Sequence, residues 1–422
     1  MLRMLLGAAL VLMLGESDAL ATDSAPRINC RFPHQHAQNL APAETGPLRL
    51  AAVYCNAIPA SPYSRSAVRI SPDGRFLAYY ERDSTLRVAQ LDGGDNAWTK
   101  YNAPLGPFAR FGSELRSPLA FSWYSHSSFI WIATHESKHP SGFAVSPMRP
   151  ARTAEDGSIQ LFPQIQHSAG PLDALLWVGG GGLAVAQFGT KGNLYRPQHN
   201  DPSPTFAVVD AQRGLVLDTL PFEMIESLRE KLQGKVPPYV LVRNAAAISL
   251  PDGRVRALLS VGEWIVWTQH EAPRRIPDPY AGEAHHQMAL SPDGISVLIG
   301  RLLRTEGGRC GRTGGCKPGR PVEGILVALH DLETGKPIWT IRSTVNADYE
   351  FPAPAISEDG RFALVGLVPT NAGASIGLVS MSDGKILQTL PAPSNNYAMG
   401  FTRGGQTIWT HANGLTAIYD IQ

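Results

Sequence analysis

Charge is scarce in this 422-residue chain, and what there is nearly cancels. Lys and Arg total 37, Asp and Glu total 36, and charged residues make up only 17%. A dedicated nucleic-acid binder carries a strong basic excess, so no nucleic-acid partner is expected. Long apolar runs are also missing. Past the extreme N-terminus no segment approaches the roughly 20 apolar residues of a spanning helix, so no membrane insertion of the mature chain is expected. Helix-favouring composition is lacking too. The 41 Gly and 34 Pro are far too many turn formers for a helical bundle and favour an all-β protein with many short connections. With 43% hydrophobic residues, disorder is excluded, because enough apolar surface is available to offset chain entropy.

The first 21 residues read as a secretory signal peptide. Arg3 supplies the positive start, Leu5 to Leu14 the apolar core, and Ala19-Leu20-Ala21 a small-x-small cleavage site. No cysteine follows that site, so a lipid anchor is not expected. The mature chain is expected to be soluble and exported, in the bacterial periplasm or secreted, and the absence of any Asn-x-Ser/Thr sequon suits the periplasm. Export gives meaning to the four cysteines, because an even count in an oxidising compartment suggests disulfides. Three pairings are open. Proximity in sequence favours Cys30–Cys55 and Cys310–Cys316, the second closing Cys310-Gly-Arg-Thr-Gly-Gly-Cys316. A loop of that size gains roughly 2–3 kcal/mol on chain-entropy grounds. Five residues between ligands and no nearby histidine fit zinc poorly.

A repeat runs through the mature chain. Ser71-Pro72-Asp73-Gly74 separates two strand-like segments, and the pattern returns at Leu250-Pro251-Asp252-Gly253, Ser291-Pro292-Asp293-Gly294 and Ser357-Glu358-Asp359-Gly360. A weaker copy is Thr402-Arg403-Gly404-Gly405. Pro presets one backbone angle, Asp bonds back to the chain and Gly accepts positive φ, which together make a tight hairpin. A second hairpin completes each unit around Gln212-Arg213-Gly214, Asp331-Leu332-Glu333-Thr334-Gly335-Lys336 and Ser382-Asp383-Gly384-Lys385. Two hairpins per repeat give four antiparallel strands, one blade of a propeller.

Two degenerate copies, around Tyr124 to Ser128 and Gly179 to Gly182, bring the count to seven. The last repeat supplies three strands, and Leu48 to Cys55 is expected to provide its fourth, pairing the termini and removing an exposed edge. Phe222, Ile225, Leu228 and Leu232 share one helical face, so a short helical insertion is expected at 221–235. The expected organisation is a signal at 1–21, an N-terminal extension at 22–47, and one seven-bladed β-propeller of four-stranded antiparallel blades at 48–422, with the helical insertion and a disulfide-closed loop.

The segment Ser71-Pro72-Asp73-Gly74-Arg75-Phe76-Leu77-Ala78-Tyr79, ending at Leu91-Asp92-Gly93-Gly94, resembles the propeller repeat of TolB-like and prolyl-oligopeptidase-type proteins. Asp331 to Lys336 resembles the WD40 or YVTN-type repeat. The resemblance covers about Ala51 to Ile421. No repeat ends in the Trp-Asp dipeptide of eukaryotic WD40 proteins. A TolB-like resemblance implies a periplasmic protein that binds other proteins and transfers no catalytic residue. The propeller leaves no room for the catalytic domain of a peptidase.

Three motifs invite catalytic readings in the wrong context. His135-Glu136-Ser137-Lys138-His139 matches the zincin pattern, which needs a helix so that both imidazoles face one metal. A β-like run precedes it and Pro140-Ser141-Gly142 follows. Gly373-Ala374-Ser375-Ile376-Gly377 matches a nucleophile elbow, which needs a strand, a sharp turn and a helix. Here Leu378-Val379-Ser380-Met381 continues as a strand. The run Gly179 to Gly182 reads as a hairpin turn rather than a phosphate cradle.

Between residues 301 and 320 lie Arg301, Arg304, Arg309, Arg312, Lys317 and Arg320 with Glu306 as the one acid. Loops on a rigid scaffold carry function, and Arg suits bidentate carboxylate or phosphate recognition. Arg304, Arg309, Arg312, Lys317 and Arg320 are therefore the candidate partner- or anion-binding residues, and a solvated insertion is the plain alternative. His285-His286 opens a repeat near its innermost strand and is the candidate for the central channel, with a satisfied structural histidine pair as the favoured plainer reading. The expected function is a non-catalytic protein-binding or scaffold subunit, monomeric or part of a hetero-complex with another exported or envelope protein. No catalytic residue, metal or cofactor is expected. The alternative is a propeller enzyme or redox-enzyme subunit with a metal or cofactor site in the channel.

Overall fold

A computed structural model of the chain describes residues 27–29, 40, 42, 45–55, 68–71, 74–80, 85–91, 98–102, 122–123, 130–135, 148–153, 159–170, 172–179, 181–188, 205–221, 223–224, 244–280, 286–304, 322–344, 353–367, 375–391, 397–412 and 415–422. The signal segment, the Cys310–Cys316 loop and nearly all of the expected helix at 221–235 lie outside the described residues.

Nearly all regular structure among the described residues is strand; the exceptions are a 3-10 turn at Arg403–Gly405, a 3-10 position at Leu40, and a helical pair, Glu223 and Met224, inside the expected insertion. The chain opens with β1 (Arg27–Asn29) and β2 (Leu48–Cys55). The first sheet then forms from β3 (Val68–Ile70), β4 (Phe76–Tyr80), β5 (Thr85–Gln90) and β6 (Trp98–Asn102). The second has β7 (Ser122–Trp123), β8 (Ile130–His135), β9 (Met148–Thr153) and β10 (Ile159–Leu161). The third has β11 (Leu172–Val178), β12 (Leu183–Phe188), β13 (Thr205–Asp210) and β14 (Leu215–Thr219). The fourth has β15 (Asn244–Ser249), β16 (Val255–Ser260), β17 (Glu263–Thr268) and β18 (Arg274–Pro277). The fifth has β19 (His286–Leu290), β20 (Ser296–Arg304), β21 (Val322–Asp331) and β22 (Pro337–Thr344). The sixth has β23 (Ala355–Ile356), β24 (Phe362–Leu367), β25 (Ser375–Ser380) and β26 (Ile386–Pro391).

Each of these six is a four-stranded antiparallel meander. The last sheet joins β27 (Tyr397–Phe401), β28 (Thr407–Ala412) and β29 (Leu415–Ile421) to β2, with β1 added outside it, in the order β1-β2-β29-β28-β27. The antiparallel pairing of β2 with β29, from Leu48 opposite Ile421 to Cys55 opposite Leu415, is the expected joining of the termini. β1, which pairs parallel with β2, extends the sheet into residues expected to be an extension outside it.

The turns repeat as the sequence does. The N–H of the closing Gly donates to the carbonyl three residues back at Gly74, Gly253, Gly294, Gly360 and Gly405, over 2.8–3.2 Å. In three copies the serine hydroxyl also closes the loop: Ser71 Oγ accepts from Phe76 N–H, Ser291 Oγ from Ser296 N–H and Ser357 Oγ from Phe362 N–H, each at 2.9 Å. Gly294 and Gly360 sit at φ 69° and 71°, where a side chain is strained, which is why glycine ends the motif.

The cores lie between sheets. One cluster joins Leu176, Val185 and Phe206 of the third sheet to Val255, Ala257 and Trp267 of the fourth. Others join the fourth to the fifth (Leu258, Trp264, Val297), the fifth to the sixth (Leu329, Val365), and the sixth to the last (Leu378, Tyr419). A further cluster packs Ala398 and Trp409 of the last sheet on Ile70 and Leu77 of the first. Sheets covered on both faces read as nearly continuous apolar runs, as β24 and β25 do. Each fully buried Leu or Phe contributes about 1.5–3 kcal/mol. The first strands touch in the same succession: β11 with β15, β15 with β19, β19 with β23, β23 with β27, and β27 with β3.

Candidate functional site

In a four-stranded meander the first and third turns fall at one edge of the sheet, and the middle connection and the exit fall at the other. The two edges of this protein differ sharply. At the turn edge the connections are short, the longest within a sheet running from 91 to 97. The connections 103–121, 136–147, 189–204, 220–243 and 305–321 start and end at the opposite edge. The turns also meet one another. A Cβ built on Gly294 would stand 3.0 Å from Leu250 Cδ2, one on Gly405 3.2 Å from Ser357 Cβ, and one on Gly74 3.5 Å from Thr402 Cγ2. The tight edge is thus committed to packing between neighbours, and the longer connections begin and end at the loop edge.

The fifth sheet brings part of the basic group to that loop edge. Arg304 is the last residue of β20, aligned with Val322 across a register shift. Arg309, Arg312, Lys317 and Arg320, with Cys310 and Cys316, belong to the connection 305–321 and lie outside the described residues. His286 opens β19 and is paired with Arg301 of β20, while His285 lies outside. One edge of the fifth sheet therefore holds His286 of β19 together with Arg301 and Arg304 of β20. Arg301 places its guanidinium carbon 4.8 Å from the centroid of the Tyr280 ring, a cation–π contact.

Behind Arg301 lies a buried polar network that sequence reading missed. Tyr280 donates its backbone N–H to Asp278 Oδ1 at 2.8 Å, and Ser260 Oγ donates to Asp278 Oδ2 at 2.8 Å. The Tyr280 hydroxyl lies 2.8 Å from His330 Nε2, and His330 Nδ1 lies 3.1 Å from the Gly335 carbonyl. A carbonyl accepts only, so Nδ1 carries the proton and Nε2 accepts from Tyr280, a tautomer assigned from the network. Burial lowers the His330 pKa, which favours the neutral ring. The Trp264 ring stands edge-on to it with centroids 5.4 Å apart. Tyr280, Asp278, Ser260 and Trp264 come from the fourth sheet and its exit, His330 from the fifth, so the network fastens the two together. The signal available in sequence was a lone histidine inside the apolar run Ile325 to Leu332.

The three tempting motifs sit as their surroundings suggest. His135 ends the strand β8, paired with Met148, and the rest of the zincin pattern lies outside the described residues. Ser375 begins β25, is buried, and donates to the Leu367 carbonyl at 3.2 Å, so its hydroxyl is already engaged in the sheet. Gly179 and Gly182 form a hairpin between β11 and β12, with Gly182 N–H donating to the Gly179 carbonyl at 3.1 Å. Among the described residues no three His, Cys, Asp or Glu are placed to hold a metal, and no helix is long and apolar enough to cross a membrane. Cys55 ends β2 and carries no free thiol.

No protein-family model matches the chain, and no curated protein matches it.

Proposed function

We propose that the seven sheets are the blades of a β-propeller and that the protein is an exported, non-catalytic binding or scaffold subunit whose contact surface is the loop edge. The succession of cores, with the last sheet packed on the first, supports a closed ring of blades. The pairing of β2 with β29 supports a ring latched by its own termini.

The observation that carries the functional reading is the asymmetry of the edges. Long connections gather at one edge, and among them is a Gly-rich stretch with five cationic residues from Arg304 to Arg320 in a chain that is otherwise near neutral. Such a surface suits an acidic protein partner, with Arg forks reading carboxylates and complementary charge speeding encounter. His330 and Tyr280, by contrast, are occupied in fastening the fourth sheet to the fifth.

The test replaces Arg309, Arg312, Lys317 and Arg320 with Ser and compares crosslinked partners of the two forms by quantitative mass spectrometry in the native envelope. Loss of a stoichiometric partner at least about tenfold, with thermal stability unchanged, is the expected result, corresponding to roughly 1.4 kcal/mol. Identical partners for both forms would remove the basic connection as the contact.

A further inference from the structure

The outer edge of the fifth sheet is the longest open edge among the described residues. β22 spans eight residues, whereas the outermost strands of the other sheets, β1, β6, β10, β14, β18 and β26, have three to six. One side of β22 pairs with β21, and no described strand lies beyond the other. A register shift between Pro337 and Trp339 interrupts the ladder at Ile338. From there the pairing runs unbroken to Thr344, opposite Gly324 at the loop edge. Within that run Trp339 and Ile341 pack on the core shared with the sixth sheet, and Thr340 and Arg342 are exposed between them. Sheets blunt open edges with bulges, charges or short strands. Here the bulge protects only the turn-edge end.

Arg342 sets the sign of what this edge accepts. The exposed Arg213 and Arg361 each hold a nearby carboxylate, Asp210 at 3.6 Å and Asp359 at 2.6 Å. Arg342 is exposed and holds no such partner among the described residues. The loop-edge half of the sheet, 300–304, 322–327 and 341–344, carries Arg301, Arg304 and Arg342 against Glu323 alone.

We infer that β22 takes an extended acidic segment of the protein partner as an added antiparallel strand over 339–344, with a carboxylate opposite Arg342. The inference rests on the reading of the protein as a binding subunit and names the form in which the partner is held. Antiparallel addition continues the meander and is the more stable pairing per residue. Main-chain hydrogen bonds to the open N–H and C=O groups supply affinity, and alternate side chains supply specificity. On the exposed face the cross-strand pairs are a carboxylate with Arg342 and a β-branched residue with Thr340. On the other face they are an apolar residue with Ile341 and an aromatic one with Trp339. Read from its N-terminus, the segment is therefore acidic, apolar, β-branched and aromatic in succession.

The probe is the peptide acetyl-Thr-Thr-Glu-Val-Thr-Tyr-amide, added at millimolar concentration to the full-length mature protein and followed by hydrogen exchange. In the free protein the alternate amides of 339–344 that point away from β21 should exchange as open groups. With the peptide they should gain at least about tenfold protection, while those of β14 and β26 stay as they were. Arg342→Glu should weaken peptide binding at least about fivefold with thermal unfolding unchanged, and the peptide with Lys in place of Glu should bind that variant instead. Replacing Arg309, Arg312, Lys317 and Arg320 with Ser should leave the protection of 339–344 in place, so failure of the basic connection and failure of the edge are separate results. Full protection of 339–344 before the peptide is added, protection on another strand or on none, its loss in the Ser-substituted form, or equal binding by Arg342→Glu would overturn the added strand.

Discussion

Leu48 donates its backbone N–H to Oε1 of Gln388 at 2.6 Å across 340 residues of sequence, and Gln388 Nε2 returns a bond to the Leu48 carbonyl at 3.4 Å. The side chain of Gln388 is buried in β26, so one amide fastens the sixth sheet to the strand that closes the last. Replacing it with Leu keeps the volume and removes both bonds, leaving buried backbone groups without that partner. Gln388→Leu should cost about 1–3 kcal/mol in urea unfolding, with the slope of the transition unchanged.

The turns that join the third and fourth strands of the fifth and sixth sheets lean on the sheet before, Gly335 against Ile276 and Gly384 against Trp339. A Cβ on Gly384 would fall 2.7 Å from Trp339 Cδ2, whereas one on Gly253 meets nothing within 4 Å. Both glycines have positive φ, at 72° and 84°. Gly253→Ala should therefore lose about 1 kcal/mol for backbone strain alone, and Gly384→Ala distinctly more, because the indole must shift and its N–H is bonded to the Met381 carbonyl. Thermal unfolding of the two variants side by side checks the order.

His411 is buried in β28 with Thr416 Oγ1 2.8 Å from its Nδ1, and burial lowers its pKa to about 4. A folded-state pKa below the unfolded value of about 6.5 means that the unfolded chain binds the extra proton first. The stabilisation is present in full above pH 6.5 and is lost as pH falls from there toward 4, with His330 adding in the same direction. The loss amounts to about 3 kcal/mol between those limits at His411. Unfolding free energies between pH 7 and 4 should fall accordingly, and His411→Gln should flatten the profile.

A ring of blades is compact, and a string of independent sheets is not. If the chain closes as proposed, small-angle scattering of the mature protein should give a radius of gyration near 2.2·N^0.38, about 21 Å for some 400 residues. A markedly larger value would mean that the first and last sheets do not stay together.

Much of this architecture was legible because its turns are chemically loud. Ser-Pro-Asp-Gly at 291–294 needs a hydroxyl, a preset φ and a residue tolerant of positive φ, and few other structures ask for all three. The strand role of Leu48 to Cys55 was legible from alternation and from the three-stranded remainder at the other terminus. β1 was not, because three residues after Pro26 are too few to show a period. The Asp278–Tyr280–His330 network was hidden for a different reason. Its members come from separate sheets, and hydrogen bonds between distant residues leave no spacing in a sequence. The basic connection stood out in sequence by charge alone, and the structure adds that Arg301, Arg304 and His286 share the edge from which it departs.

The contact surface is tested most directly by position-specific photocrosslinking in the native envelope, with p-benzoylphenylalanine placed at Arg309 or Arg312 of the 305–321 connection and at Arg361 or Lys385 on the turn edge. The account predicts a discrete adduct with one acidic partner from the first two positions and none from the second two. Adducts from the turn edge alone, or none from either, would contradict it.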